Sequence, residues 1–380
     1  MKIACIGGGP AGLYLSILLK KSNPAYRITV FERNAADQTF GWGVVFSDET
    51  LGNLLEADEE THDEIVRSFA HWDAIDVHFK GRVIRSTGHG FSGIARKKLL
   101  RILQKRASNL GVDLRFQTEV HDLAAFADCD LIVGCDGIRS RVRSAHADVF
   151  RPDLDVRKCR YIWLGTNKRF DAFTFIFQEN EHGLFQVHAY PFDEQASTFI
   201  VECDEATWRS AGLDRKSPEE GARYLEQVFA PWLDGHPLLL NASTWIQFVT
   251  VRCETWRHRN LVLIGDAAHT AHFSIGSGTK LAIEDAILLA DALERHPNDV
   301  PAALEAYETE RRPEVARLQK AAQDSLLWFE STRRHVQHDP VRFTFSLMTR
   351  SKRIGWDNLK LRDRRLVEQV GELFAKEAGI

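Results

Sequence analysis

Three stretches of this 380-residue chain have the residue types and spacing to hold a large anionic ligand. Gly7-Gly8-Gly9-Pro10-Ala11-Gly12 has the G-x-G-x-x-G form and lies between an apolar run and the start of a helical pattern. In that context Gly7 makes a tight turn, and Gly9 lets the backbone approach a pyrophosphate. Gly12, beside Ala11, lets the helix pack close to the strand, and the helix N-terminus faces the negative charge. Glu32 ends the next apolar run, where a carboxylate would bind ribose hydroxyls. The alternative is a plain glycine turn with an incidental surface glutamate. The second stretch, Cys135-Asp136-Gly137-Ile138-Arg139-Ser140-Arg141-Val142-Arg143, follows an apolar strand. Its arginines either meet a cofactor or form a solvated basic face. The third, Leu263-Ile264-Gly265-Asp266-Ala267-Ala268-His269, runs on to Ile275-Gly276-Ser277-Gly278-Thr279-Lys280 at a helix start. Backbone N–H groups from Gly276 to Thr279, with the helix dipole behind them, suit an electron-rich ligand edge. Asp266 read alone is a simple helix N-cap.

The elements that must position these stretches read as an interrupted Rossmann core. Lys2–Ile6, Arg27–Glu32, Leu114–Val120, Leu131–Gly134 and Leu261–Ile264 are expected to be strands of one sheet. Ala11–Lys21 and Arg96–Leu110 are expected helices, the second with Leu99, Leu103 and Leu110 on one face and Gly111 as its stop. From about Cys159 to Glu202 the texture changes to strands Arg160–Thr166, Ala172–Gln178, Gly183–Pro191 and Ser197–Cys203, broken by polar residues and glycine. The helix Glu219–Ala230 and the strand Thr244–Val251 complete this inserted antiparallel sheet. Ile283, Ala286, Ile287, Ala290 and Leu293 mark a long helix, and the chain from Val300 onward is mainly helical. The expected fold class is α/β. A cofactor domain occupies 1–155 and 255–325, a substrate domain 156–254, and a helical C-terminal region 326–380.

Bulk composition narrows the function classes. The chain is 44% hydrophobic and 27% charged, with a net charge of −4, so no global field draws it to nucleic acid or to an anionic membrane. Six scattered cysteines with no C-x-x-C pair indicate neither a disulfide framework nor a metal site, and a reducing cytoplasm fits. The apolar start Ile3–Leu19 is not read as a secretory signal, because three glycines interrupt it and a strand follows.

Taken in order, the glycine fingerprint, Asp136-Gly137 and Gly265-Asp266 resemble the class A flavoprotein monooxygenases, the family of para-hydroxybenzoate hydroxylase, over most of the chain. The resemblance implies a GR2-type Rossmann FAD-binding domain with an inserted antiparallel β-sheet substrate domain and a helical C-terminus. It makes Asp266 the partner of the flavin ribityl chain, and Asp136 and Arg139 part of a segment linked to FAD and NAD(P)H. Arg96 becomes the arginine at a helix start near the flavin. Arg33, Val44, Val120, Ile275, Gly276, Ser277, Gly278 and Thr279 join the cofactor-binding set. NADH or NADPH would reduce the flavin, O2 would form a C4a-hydroperoxide, and one oxygen atom would enter an electron-rich ring. One departure stands out. The family's Pro-Pro pair after the Gly-Asp motif is replaced by Thr270-Ala271-His272-Phe273-Ser274, so the pocket beside the flavin is built differently. Gly41-Trp42-Gly43-Val44-Val45, His272–Gly276 and the tail from Arg350 to Leu359 resemble a narrower branch, which contains hydroxylases of aryl-CoA thioesters and one of the violacein pathway.

On the substrate side, alternation along Leu184–Tyr190 puts Gln186, His188 and Tyr190 on one face, which lines the ring pocket or meets solvent. His188 and His272 are candidate bases for a phenol, with Tyr190 beside them; Gln186 and Phe273 are candidate ring contacts. Between Arg350 and Arg365 seven Lys or Arg accompany two Asp. Lys352 and Arg353 there would either meet the phosphates of a CoA or sit on a solvated charged helix. The expectation is an FAD-dependent, NAD(P)H-consuming aromatic hydroxylase, monomer or homodimer, that uses O2 on a thioester such as salicylyl-CoA. Attack para to the activating hydroxyl would give gentisyl-CoA. A free aromatic acid, an indole-derived substrate, or a flavin reductase without oxygen insertion are the alternatives. Neither a metal site nor a nucleic-acid or membrane partner is expected.

Overall fold

The strand Lys2–Ile6 is buried from Ile3 onward and pairs in parallel with Arg27–Phe31 on one side and Leu131–Gly134 on the other. Lys2–Ile6 and Leu131–Gly134, covered on both faces, read as apolar runs in the sequence, while Arg27–Phe31 alternates in burial. In the computed structural model, which describes residues 1–378, they form a sheet in the order Arg257–His258, Leu261–Leu263, Leu131–Gly134, Lys2–Ile6, Arg27–Phe31, Asp113–Arg115. The helix Pro10–Ser22 packs between Gly278–Arg295 and Arg96–Asn109 against this sheet. The expected strand Leu114–Val120 is shorter than the sequence suggests. It ends at Arg115, the chain turns at Gln117 with φ of +52°, and Thr118 to Val120 wall a cleft instead.

The second sheet runs Leu238–Leu239, Asp153–Thr166, Ser197–Cys203, Gly183–Pro191, Phe173–Asn180, Ile75–Phe79, Arg82–Ser86, with Ile246–Arg252 also paired to Asp153–Thr166. The last two strands of that order were not among those expected from the sequence; Ile75–Phe79 joins in parallel, against the antiparallel rule of the rest. Alternation gives this sheet two characters. Ile162, Leu164, Phe185, Val187, Phe199 and Val201 face outward into a core closed by the helix Pro218–Val228. Tyr161, Trp163, His188, Tyr190, Ile200 and Glu202 face the other way, toward the long helix Val300–Glu330 and the segment around Phe273. A small sheet of Gly43–Phe46, Phe91–Ala95 and Ala70–Trp72 bridges the two large ones. It is fastened by Gly43 N–H donating to Thr198 Oγ1 at 2.9 Å and by Tyr190 OH donating to Gly43 O at 3.0 Å. Among the described residues no helix is long and apolar enough to cross a membrane.

One buried carboxylate joins the C-terminal helices to the first sheet. Asp285 accepts Gly265 N–H at 2.7 Å and Arg311 Nε–H at 2.8 Å, and His269 Nε2 lies 2.9 Å away, off the line of a hydrogen bond. Arg311 also pairs with Glu284 at 3.0 Å. Burial alone would raise the Asp285 carboxyl; His269 and Arg311 overcome it and hold the group down at about 2. Removing one member of such a pair leaves an uncompensated buried charge, at a cost of about 3–5 kcal/mol. Asp285→Asn should therefore lose stability on that scale in urea denaturation at neutral pH. A depressed folded pKa means that the contribution is complete above the ordinary carboxylate range and fades as pH falls toward about 2. The gap between wild type and variant should narrow on acidification through that window; a gap constant with pH would contradict the assignment.

Candidate functional site

The three glycines of the fingerprint answer to three different demands. Gly7 has φ of +125°, and a Cβ there would lie 2.1 Å from Cys135 O. A Cβ on Gly12 would lie 2.3 Å from Gly7 O. Both are fixed by protein packing. Gly9 is different: nothing lies within 4 Å of an added Cβ, because it borders a cleft of about 210 Å3. Glu32, Arg33, Arg96, Val120 and Asp136 also line this cleft. Glu32 is held by Gly8 N–H and Asn34 N–H, each at 2.8 Å. Asp136 Oδ2 accepts the N–H groups of Arg141 and Val142 at 2.6 and 3.2 Å, while its Oδ1 is enclosed without a partner. The arginines after Asp136 divide in role. Arg141 pairs with Glu119 at the rim, at 2.9 Å. Arg143 is buried and donates to Ala267 O at 2.9 Å and Ile138 O at 2.6 Å, tying the second stretch to the third.

Asp266 sits on the short turn Gly265–Ala267, which φ of +61° at Gly265 makes possible. Its carboxyl is surrounded by protein yet faces open space; burial pushes its pKa up, and Arg96 is the main opposing charge. Arg96 is held by its Nε–H to Thr39 Oγ1 at 3.1 Å and its backbone N–H to Trp42 O at 2.7 Å. Gly276 then turns the chain with φ of +66°, and Gly278, with nothing within 4 Å of an added Cβ, opens the helix Gly278–Arg295. Val45 approaches this turn, with its Cβ 3.9 Å from where one on Gly276 would lie, and Val44 is buried beside it in the same strand.

Beyond the turn lies an aromatic enclosure under the second sheet. The Phe273 ring lies 4.7 Å from Tyr161, 5.3 Å from His188 and 4.1 Å from His272, centroid to centroid. Trp42 and Trp163 each leave a buried indole N–H without a partner. His188 Nε2 lies 3.3 Å from Glu202 Oε2, both side chains nearly inaccessible. Burial raises Glu202 to about 7 and lowers His188 to about 3, so the pair is held uncharged at moderately acid pH. Gln186 is not a pocket group. Its Nε2 donates to Phe329 O and its Oε1 accepts from Thr332, fixing the sheet to the end of the long helix. Tyr190 likewise has its hydroxyl engaged by Gly43 O.

Residues 1–322 match the family described as FAD binding domain. The chain is 47% identical to a salicyloyl-CoA 5-hydroxylase of a Streptomyces species, over 97% of this chain and 73% of that protein. It is 33% identical to the protodeoxyviolaceinate monooxygenase of Chromobacterium violaceum, over 93% of this chain and 95% of that one. The chain belongs to the FAD-dependent aromatic monooxygenases. The tetrameric 2-methyl-3-hydroxypyridine-5-carboxylic acid oxygenase has the same fold, with a TM-score of 0.72 at 22% identity, covering 95% of this chain and 97% of that one.

The monooxygenase has a cradle that suits FAD. Space stands open at Gly9, Gly137 and Gly278, where backbone could approach a dinucleotide, while Gly7 and Gly12 are closed by protein. Glu202 was missed in the sequence, although a glutamate inside the apolar strand Ser-Thr-Phe-Ile-Val-Glu-Cys was a usable signal. Arg350 was passed over as one more cation of the basic tail, but it is directed inward to Ser325 and Ser274. Lys352 and Arg353 lie apart from the ring enclosure. They border a second cleft of about 320 Å3 with Arg317, Lys320 and Lys280. Lys352 pairs with Asp324 at 3.0 Å; Arg353 makes no ion pair among the described residues.

The glycines give a clean discrimination. Gly9→Ala should leave the thermal stability of the FAD-free protein near wild type, yet reduce FAD affinity about tenfold or more, read by flavin fluorescence titration. Gly12→Ala should instead damage folding itself. Equal loss of fold in both variants would refute the separate roles.

Proposed function

We propose that this monooxygenase hydroxylates the ring of an aryl thioester carried on coenzyme A, with NADH or NADPH as the electron donor. The observation that carries the thioester is the second cleft, lined by five cations and three carboxylates, on a chain whose net charge is −4. The salicyloyl-CoA 5-hydroxylase relative supports it. In this reading Gly7–Gly12, Glu32, Arg33, Val120 and Asp136 would hold the cofactor's adenosine end. Arg96 and Asp266 would hold its middle, and Val44 with Ile275–Thr279 its ring. FAD held there would supply the redox chemistry that lets one oxygen atom of O2 enter the substrate ring. The helix N-terminus at Gly278 offers N–H groups and a positive dipole to negative charge that develops on the flavin ring. The aromatic walls exclude water. The organisation into a cofactor part (1–155 and 255–325), a substrate part (156–254) and a C-terminal part belongs to the same proposal, with strands Ile75–Ser86 assigned to the substrate sheet.

The protein's own task at the ring is a proton. A ring hydroxyl activates its para carbon far better once ionised, and Glu202 beside His188 is the group poised to accept that proton. Its pKa of about 7 lies near working pH, where a base is most effective. Activity should then fall as pH drops below about 7, because Glu202 must be ionised to accept the proton. Glu202→Gln should lower kcat/KM and lose that acid limb; an unchanged limb would remove Glu202 from the step.

The thioester reading has its own test. Salicylyl-CoA should stimulate NAD(P)H oxidation far more than free salicylate does. Replacing Arg317, Lys320 and Arg353 by Gln together should raise KM for the thioester about tenfold at low salt, since each exposed contact is worth about 0.5 kcal/mol. FAD content should not change. Equal stimulation by salicylate would overturn the thioester, and an unaltered KM would move its phosphates elsewhere.

A further inference from the structure

His272 takes the place of a proline pair in the family pattern, and the structure constrains where its proton sits. Nδ1 accepts the Ser274 backbone N–H at 3.4 Å and lies 2.8 Å from Ser274 Oγ. A ring nitrogen that accepts an amide proton carries a lone pair and no hydrogen.

The side chains behind it accommodate the same polarity. Arg350 is a donor only. Its Nε donates to Ser325 Oγ at 2.9 Å, and Ser325 Oγ lies 2.7 Å from Ser274 Oγ. With the Ser325 oxygen receiving the guanidinium proton, its own hydrogen is free to go to Ser274, and that of Ser274 to His272 Nδ1. A chain of links that runs outward from Arg350 is therefore consistent with a bare Nδ1. Arg350 is itself fixed by Nη bonds to Leu347 O and Ser274 O, both at 2.7 Å, and by the rings of Phe175 and Phe329, each 5.2 Å from its guanidinium carbon. The uncharged imidazole must then carry its hydrogen on Nε2. That nitrogen has no hydrogen-bond partner among the described residues, and it is not fully enclosed by protein, unlike His188 Nδ1. It therefore reaches open space beside Phe273 and Phe248, whose rings lie 4.1 and 4.9 Å away.

We propose that His272 works as a neutral hydrogen-bond donor, presenting Nε2–H to an oxygen of the bound aromatic substrate, and that Arg350, Ser325 and Ser274 are positioning residues that fix this tautomer. The proposal rests on the hydroxylase reading above and deepens it. It separates two roles that the sequence left on the same residues: His272 stabilises the ionised ring oxygen, and the His188–Glu202 pair receives its proton. The groups bearing on the imidazole are Glu202, His188, Arg350 and Arg157. Burial pushes it down to about 3, Glu202 opposes, and His188 and the two arginines add to the depression, so it stays uncharged through the physiological range.

The test reads the proton directly. In the FAD-loaded enzyme with 15N-labelled histidine rings, long-range 1H–15N correlation spectra identify His272 by the signals lost in His272→Gln, or in His272→Asn if the first variant fails to retain flavin. The expected spectrum shows a protonated Nε2 and a bare Nδ1, unchanged between about pH 6 and 9. A hydrogen on Nδ1, or conversion to the doubly protonated ring in that range, would overturn the donor assignment. Ser325→Ala, which cuts the link to Arg350, should give a mixture of tautomers; a single unchanged tautomer would overturn the relay. With salicylyl-CoA bound, the pKa of its phenol, read by ultraviolet difference spectra, should be about one unit higher in His272→Gln than in wild type. No change there would overturn the substrate contact. The spectra of the substrate-free enzyme need no thioester, so failure of salicylyl-CoA to bind would count against the substrate reading alone, and free salicylate would then serve as the phenol.

Discussion

The Asp285 carboxylate is the constraint on which the rest of the site depends. It is completely buried and lies on the helix that begins at Gly278, so one residue controls both ends of the third sequence stretch. Toward the sheet it holds the Gly265 N–H, and with it the left-handed turn that presents Asp266. Toward the C-terminus it holds Arg311, which anchors the long helix Val300–Glu330. That helix carries Ser325 under the ring enclosure, and the arginine that meets Ser325 comes from further along the chain. A cost of several kcal/mol for desolvating these charges is offset because both Asp285 oxygens accept hydrogen bonds and Arg311 is paired with Asp285 and Glu284.

The second constraint is the period of two along the inserted sheet. One face consists of aliphatic and aromatic side chains that need only be covered, and the helix Pro218–Val228 covers them. The other face carries the groups that can hold or move a proton. A shift of one residue in the register between Gly183–Pro191 and Ser197–Cys203 would turn Glu202 outward into the apolar core and bring Val201 to the site. Apolar packing on the outer face therefore sets the register that places His188 against Glu202.

Much of this was legible in the sequence because it is local. The glycine fingerprint, the acidic residue after the second strand and the turn at Gly265-Asp266 are each set by backbone requirements within a few residues, and short motifs record such requirements. What was not legible depends on side chains brought together from distant positions. Arg350 lies in a segment rich in Lys and Arg, and nothing in its neighbours separates an inward-directed guanidinium from a solvated one. Only the meeting of Ser274, Ser325 and Leu347 does so. Gln186 erred in the opposite direction. Alternation correctly gave its face, but not that both ends of its amide are bonded to Phe329 and Thr332. The strands at Ile75 to Ser86 form a hairpin about Lys80-Gly81, but they lack the apolar run of their partners, and only the long-range pairing of Ile75–Phe79 with Phe173–Asn180 places them in this sheet.

The charges around the ring enclosure make a final point about what binds there. Arg157 is matched by Asp155 and Glu330. His188 and His272 are both pushed far below their ordinary range by burial and stay uncharged. Arg350 has no carboxylate within ion-pair distance among the described residues, only a hydroxyl and two carbonyl oxygens. Burial lowers it to about 10, which still leaves it fully charged at neutral pH. Once Glu202 has taken up a proton, Arg350 has no anion beside it among the described residues. An isolated charge in such surroundings is costly, and a bound anion relieves that cost. In the proposed reaction an ionised ring oxygen would supply one. Proton transfer conserves the total charge, so Glu202 balances Arg350 before the proposed step and the ring oxygen would do so after it, and no charge is left unmatched as the ring is activated.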